Sequence, residues 1–189
     1  MMVAMEPPGI TRHRRPFLAP LWLTLLALLI AAVVAYTVYR GAATTVVVLA
    51  SSGDKEPGTI DDPPISAEGE RRAQRLAQML ATGAGPGRLD ALYVSGERRT
   101  QQTAAPVAEL LHLTPTAYDA KDAAAVAGGL LRGREGGAVL VIGGAPAVQQ
   151  FLRQLAGPGS AGQAAADPDL LYIVSVPSFG RPQVLRLKY

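Results

Sequence analysis

The stretch Thr44–Lys55, TTVVVLASSGDK, decides how the rest of the chain is interpreted. Its five consecutive apolar residues, from Val46 to Ala50, are followed at once by two serines and a glycine. A short β-branched run that ends in small polar residues is typical of a strand buried on both faces of a sheet. In open α/β sheets, ligands bind outside the carboxyl ends of such strands. We therefore expect a functional site at Ser51, Ser52 and Gly53.

The excess of basic residues belongs to the N-terminal segment. Residues 1–43 carry four arginines and one glutamate, so residues 44–189 carry fourteen basic and fourteen acidic side chains. A domain without net charge lacks the basic surface that nucleic-acid binding requires. The sequence therefore predicts no nucleic-acid partner. Lysine is rare, while arginine, alanine, glycine and proline are abundant, which is typical of a GC-rich bacterial genome.

The residue types needed for a metal site are scarce. The chain has no cysteine, so disulfides and thiolate–metal sites are excluded. Its two histidines, His13 and His112, are far apart, and its acidic residues are scattered. We therefore predict no metal and no cofactor.

A long uncharged segment precedes the domain. Residues 17–39 contain no charged side chain, and this length is sufficient to cross the hydrocarbon core of a bilayer. Trp22 near one end, and Tyr36 and Tyr39 near the other, suit the two membrane interfaces. The sequence predicts a cytoplasmic tail at 1–16, a transmembrane anchor at 17–39, a linker at 40–44 and a domain at 45–189.

The charges that flank this segment predict its orientation. Arg12, Arg14 and Arg15 precede it, which favours a cytoplasmic N-terminus in the bacterial inner membrane and a periplasmic domain. A cleaved signal peptide is the alternative, because residues 41–43 (Gly-Ala-Ala) provide small residues for cleavage. The apolar run is longer than the hydrophobic region of a signal peptide, and this favours the anchor.

The rest of the chain alternates between strand and helix patterns. This order predicts an α/β domain with a mostly parallel sheet flanked by helices and preceded by one transmembrane helix. Ser66 is the expected N-cap of the first helix, and residues 157–168 are expected to form a loop. The predicted strands after the first are 91–95, 115–118, 138–142, 171–176 and 183–187; the predicted helices are 66–82, 99–111, 122–132 and 146–155.

Two segments carry the motifs of a known family. DDPPISAEGERRAQRLAQML (Asp61–Leu80) is similar to "PLS-x-x-G" followed by "A-x-x-L". LDALYVSGERRTQQTAAPVAELLHLTP (Leu89–Pro115) is similar to "S-x-x-x-R-[AT]-x-Q-T-A". With VLVIGG (Val139–Gly144), they make the chain from Thr45 to Tyr189 resemble the histidine phosphatase superfamily. The resemblance implies the phosphoglycerate-mutase-like fold and is strongest to the small phosphohistidine-phosphatase-like members.

The resemblance also implies which residues occupy the catalytic positions. In the family, an Arg-His-Gly triplet supplies an arginine and the nucleophilic histidine, a second arginine holds phosphate, and a second histidine follows the glycine of "I-G-H". Imidazole is a suitable nucleophile near neutral pH, and guanidinium groups pair with phosphate oxygens. In this chain Ser51 and Ser52 stand at the first arginine and histidine positions, Gly144 stands at the second histidine position, and Arg99 alone retains its family identity.

Loss of these groups predicts a catalytically inactive binding module. Arg99, Ser51, Ser52 and Gly53 are the candidate anion-binding residues, with phosphate or another small anion as ligand. A protein partner without any ligand is an equally open interpretation. Arg99 is alternatively a helix-start arginine that pairs with Glu97.

An active enzyme is the second hypothesis. A phosphatase that works through a rearranged site would depend on Asp54, Lys55, Arg98 and Arg99. His13 lies before the membrane segment, and His112 is expected at a helix end, so neither is a replacement nucleophile. Whether the altered triplet is natural or engineered stays open at this point.

Overall fold

The structure is a computed structural model in which residues 21–41, 44–54, 61–82, 87–133, 136–161, 169–178 and 180–189 are described. The chain divides into two compact units, Met1–Val38 and Tyr39–Tyr189. The predicted tail at 1–16, and therefore His13, lies outside the described residues, as does Lys55.

The N-terminal unit contains one long apolar helix. Helix α1 spans Leu21–Gly41, and its segment Leu21–Val38 has a mean hydropathy of 2.4 with no residue buried. A helix of this length and composition is a candidate membrane span, although an N-terminal signal sequence has the same properties. The predicted start of this segment, residues 17–20, is outside the described part of the chain.

The second unit is a six-stranded sheet with helices on both faces, which confirms the predicted α/β class. Its strands lie in the order β3-β2-β4-β1-β5-β6. Strands β1 to β4 run parallel in the sheet, and β5 is antiparallel to both β1 and β6. The strand bounds are Thr44–Ser51 (β1), Ala91–Ser95 (β2), Pro115–Tyr118 (β3), Ala138–Gly143 (β4), Leu170–Pro177 (β5) and Gln183–Lys188 (β6).

Four main helices cover this sheet. Alternate residues of β1 face opposite sides, so Val48 and Ala50 pack with α2 and α3, whereas Val47 and Leu49 pack with α4 and α5. Strands β1 and β4 are buried on both faces, as the run of apolar residues predicts for β1, whereas the edge strand β3 is mostly exposed. The helix bounds are Ala67–Ala81 (α2), Arg98–Leu111 (α3), Ala123–Gly133 (α4), Ala145–Ala156 (α5) and Pro158–Ala161 (α6).

Local signals explain most helix ends, and the structure corrects one of the predicted segments. The Ser66 side chain accepts a hydrogen bond from Gly69 N at 3.1 Å, so the predicted N-cap of α2 is confirmed. The helix predicted at 122–132 is present as α4 within one residue, and a 3₁₀ turn, Ala120–Asp122, precedes it, with the Asp119 carboxylate capping Lys121 N. The segment predicted as a loop at 157–168 contains the short helix α6, and residues 162–168 lie outside the described residues.

Candidate functional site

The carboxyl ends of the parallel strands bring the predicted site residues together. Ser51, at the end of β1, lies opposite Gly143 at the end of β4. One residue later, Ser52 N donates a hydrogen bond to Gly143 O at 2.9 Å. Gly144 follows as the N-cap of α5, and Arg99 lies in the first turn of α3. Ser51, Ser52, Gly144 and Arg99 therefore lie at one edge of the sheet, and Gly53 follows in the same loop as Ser52.

The loop after β1 is tied to the first turn of α3. Gly53 N donates to Thr103 Oγ1 at 2.9 Å, and the Thr103 hydroxyl donates to Arg99 O at 2.8 Å. Ser51 and Ser52 are 6% and 9% exposed, so neither serine projects freely into solvent. The loop is held rigidly, with little open surface at the two hydroxyl-bearing residues.

Two glycines allow this loop to approach helix α2. A Cβ atom on Gly69 would lie 3.0 Å from Asp54 O and 3.1 Å from Asp54 N. A Cβ atom on Gly53 would lie 3.1 Å from Gly69 Cα. Because the neighbouring atoms are backbone, a side chain at Gly69 requires a shift of the loop. Close packing against the loop backbone therefore explains why the "S-x-x-G" motif has a glycine at Gly69.

A buried arginine supports the loop from below. Arg72 is 2% exposed and donates through Nη2 to Ser52 O at 2.9 Å. Its Nη1 pairs with Asp169 Oδ1 at 3.0 Å and with Asp54 Oδ2 at 3.3 Å. Burial raises the pKa of the Tyr189 hydroxyl, and the Arg72 guanidinium partly offsets this increase. Arg72 therefore joins the site loop to the C-terminal strand region.

Sequence reasoning missed Arg72, although the sequence contains a signal for it. The buried residues of α2 include Gly69, Ala73, Leu76 and Ala77, spaced at three and four residues. Arg72 lies on that same apolar stripe. An isolated charged residue on the buried face of a helix requires a partner, and this is the observation that predicts an internal ion pair.

Arg99 forms an ion pair with Glu97. Both Nε and Nη2 of Arg99 lie 2.9 Å from Glu97 Oε2, and the two side chains are 30% and 39% exposed. The alternative partner that the sequence suggested for Arg99 is thus present in the structure. The same pair borders Gly144, whose Cβ would lie 3.5 Å from Glu97 Oε2 and 3.6 Å from Arg99 Nη2.

An open cleft of about 790 Å³ lies above this ion pair. Arg99 is the only basic residue among the described residues that line it. The charged lining is otherwise acidic, and its members are Asp61, Asp62, Glu97 and Asp119. Carboxylates repel phosphate, so the described lining of the cleft does not favour a multiply charged anion.

Tyr118 closes the floor of the site beneath Gly143. Its hydroxyl donates to Ile142 O at 3.5 Å, and its ring packs edge-to-face on Phe151 with centroids 5.6 Å apart. A Cβ atom on Gly143 would clash with the Tyr118 hydroxyl. Burial, and secondarily the charge of Glu97, raise the pKa of Tyr118 far above its usual value. Tyr118 therefore remains a neutral phenol and cannot serve as a base at neutral pH.

The remaining histidine does not reach the site. His112 is the C-cap of α3, at the opposite end of this helix from Arg99, and it lines a groove between α2 and α3. Thirteen residues of helix separate the two positions by about 20 Å. No group of three potential metal ligands occurs among the residues that the structure describes.

Comparisons with known proteins identify the fold. The profile of the histidine phosphatase superfamily (branch 1) matches residues 51–121. The protein histidine phosphatase SixA complexed with tungstate is similar in structure, with a TM-score of 0.62, 19% identity, and coverage of 76% of this chain and 96% of that chain. Comparison with curated protein sequences gave no match.

Two further solved structures show the same architecture. The SixA protein of Agrobacterium tumefaciens, described as a putative phosphohistidine phosphatase, has a TM-score of 0.59 and 18% identity, over 77% of this chain and 98% of that chain. Phosphoglycerate mutase from Plasmodium falciparum has a TM-score of 0.58 and 14% identity, over 78% of this chain and 91% of that chain. The predicted phosphoglycerate-mutase-like fold is therefore confirmed, and the match of residues 51–121 supports the superfamily assignment.

Proposed function

We propose that this chain is a membrane-anchored relative of the histidine phosphatases that acts as a binding module and does not hydrolyse phosphate esters or phosphohistidine. The main support for this proposal is that the described residues at the carboxyl edge of the sheet include no imidazole. Ser52 and Gly144 occupy the two positions at which the family resemblance implies histidines. Loss of a nucleophile typically lowers turnover by about four to six orders of magnitude.

A serine nucleophile is poorly supported at this position. Ser52 is 9% exposed, and it would require an adjacent base to become reactive. The nearest acidic candidate, Asp54, pairs with the buried Arg72 guanidinium at 3.3 Å. Tyr118 is held as a neutral phenol. The second candidate function, a phosphatase with a rearranged site, would depend on Asp54, Lys55, Arg98 and Arg99, of which Lys55 lies outside the described residues.

The anchor and its orientation belong to the same proposal. The described apolar helix α1 has no buried residue, and three arginines precede it in the sequence. This pattern favours a cytoplasmic N-terminus and a periplasmic domain in the bacterial inner membrane. The intact mass of the membrane-bound protein tests the proposal, because cleavage after residue 43 would remove the entire segment.

The activity test uses the full chain in detergent. Hydrolysis of an aryl phosphate and of a phosphohistidine peptide is measured for the wild type, for Arg99→Ala and for Arg75→Ala, an exposed arginine of α2 outside the site that serves as the control. We expect all three proteins to match the buffer background. Hydrolysis by the wild type and by Arg75→Ala, lost in Arg99→Ala, would refute the binding-module proposal.

A restored variant provides the positive control. It combines Ser51→Arg, Ser52→His and Gly144→His with Glu97→Ala. The fourth change is needed because a Cβ at Gly144 already lies 3.5 Å from the Glu97 carboxylate, so the rest of an imidazole requires that space. Activity in this variant beside a silent wild type would show that the scaffold is sound and that only the reacting groups are missing.

A further inference from the structure

Glu97 makes a contact that resembles the binding of an external anion. A single oxygen, Oε2, accepts a hydrogen bond from Arg99 Nε at 2.9 Å and forms an ion pair with Arg99 Nη2, also at 2.9 Å. Charge-assisted hydrogen bonds from one edge of a guanidinium group are also how arginine holds a phosphate oxygen. The binding edge of Arg99 is therefore already occupied by a carboxylate of the same chain.

The position of this carboxylate coincides with the centre of the candidate site. Both Glu97 oxygens would lie 3.5–3.6 Å from a Cβ atom on Gly144, at the start of α5. The charge of Glu97 also contributes to the raised pKa of Tyr118, the residue beneath Gly143. The carboxylate thus lies between the ends of β2 and β4, at the base of the cleft.

A second observation indicates that Glu97 is directed toward Arg99 and not toward the adjacent helix. Glu97 is the N-cap of α3, yet its side chain makes no capping hydrogen bond. Ser, Thr, Asp and Asn, whose side chains are shorter than that of glutamate, are the usual N-cap acceptors. Here the Asp62 carboxylate, from another loop, accepts from Arg98 N at 2.9 and 3.1 Å. Asp62 thus satisfies the first N–H group of the helix, while the Glu97 carboxylate pairs with the Arg99 side chain.

We propose that Glu97 is a built-in ligand of Arg99, whose carboxylate takes the place that a phosphate-like anion would otherwise occupy. This inference rests on the proposed binding function of the site. An incoming phosphate must displace Glu97 and approach the carboxylates of Asp61, Asp62 and Asp119. The wild-type cleft therefore binds phosphate weakly, and removal of the Glu97 charge uncovers an anion site.

The test measures binding of radiolabelled inorganic phosphate to the full chain in detergent by equilibrium dialysis. The variants are Glu97→Gln and Glu97→Ala, each with and without Arg99→Ala. The matched control is Glu109→Gln, which removes the same charge from an exposed site near the other end of α3. Circular dichroism of each sample verifies that the proteins are folded.

We expect both Glu97 variants to bind phosphate up to about fivefold more tightly than the wild type, since a partly exposed ion pair must no longer be broken. The gain should vanish with Arg99→Ala and be absent in Glu109→Gln. Unchanged affinity in both Glu97 variants, or a gain that survives loss of Arg99, would overturn the inference. Hydrolysis of an aryl phosphate by the same wild-type preparation, measured in a parallel sample, reports separately on the proposed function, because activity would refute that function whatever the Glu97 variants bind.

Discussion

Replacement of Arg72 by methionine is expected to destabilise the domain, although the side-chain volume at this position changes little. Arg72 is 2% exposed and lies on the buried face of α2. Methionine retains much of its volume and its flexible chain, so the main loss is the guanidinium group. That group supports the loop after β1 through the Ser52 carbonyl and connects it to Asp54 and Asp169.

The magnitude follows from the exposure of the three acceptors. The buried Ser52 carbonyl loses a charged donor, which costs about 1.5–3 kcal/mol. The Asp54 and Asp169 side chains are 53% and 39% exposed, so water solvates them and each contributes only about 0.2–1 kcal/mol. Together these losses lower the free energy of unfolding by about 3 kcal/mol. For a domain of this size, that corresponds to a decrease in Tm of about 10 °C.

Thermal unfolding of the full chain in detergent, followed by far-ultraviolet circular dichroism, measures this effect. Arg75→Met is the matched control, because Arg75 lies on the same helix, is 54% exposed and pairs only loosely with Glu68 at 3.4 Å. We expect the control to change the free energy of unfolding by less than about 0.5 kcal/mol. A Tm for Arg72→Met within about 3 °C of the wild type would refute the supporting role of Arg72.

Two other predictions concern backbone packing and alkaline stability. Gly69→Ala should lower the free energy of unfolding by about 1–3 kcal/mol, because the new Cβ atom meets backbone atoms of Asp54. Gly129→Ala is the matched control in α4: its Cβ atom would have no other atom within 4 Å, so the change should raise the free energy of unfolding by about 0.5–1 kcal/mol. Equal Tm values for these variants would contradict the packing argument. The raised pKa of Tyr118 means that only the unfolded chain releases this proton near pH 10. Tyr118 therefore does not change the free energy of unfolding below pH 10. Above pH 10 this free energy decreases by up to about 1.4 kcal/mol per pH unit. The free energy of unfolding, measured with urea at a series of pH values above 10, should decrease less steeply for Tyr118→Phe than for the wild type. Identical pH slopes would refute the contribution of Tyr118.

Most of the fold was predictable because the local patterns agree with the tertiary structure. The runs at 91–95 and 115–118 form strands with the predicted bounds, and the predicted N-cap Ser66 begins α2 one residue later. The error lies where short-range hydrogen bonds decide the structure. Ser160 N donates to Gly157 O and Ser160 Oγ donates to Ala156 O, so the small residues after Gly157 form one helical turn.

The candidate site was predictable in position but not in its internal contacts. The end of β1 and the start of α3 are visible as composition changes, so Ser52 and Arg99 could be placed at one edge. The start of α3 is capped by Asp62, whose backbone adopts a φ of 61° and whose carboxylate reaches Arg98 N from a distant loop. Such a long-range contact leaves no trace in residue spacing.

The position of β1 within the sheet also has a consequence for the order in which the chain acquires its structure. Val46 lies opposite Ala138 on one side and Ser175 on the other. Although β1 precedes the other five strands of this sheet in the chain, its second neighbour, β5, is synthesised only after β2, β3 and β4. During that interval one row of backbone N–H and C=O groups of β1 is open to other chains, as in any unpaired strand. Completion of the core thus waits for the hairpin of β5 and β6.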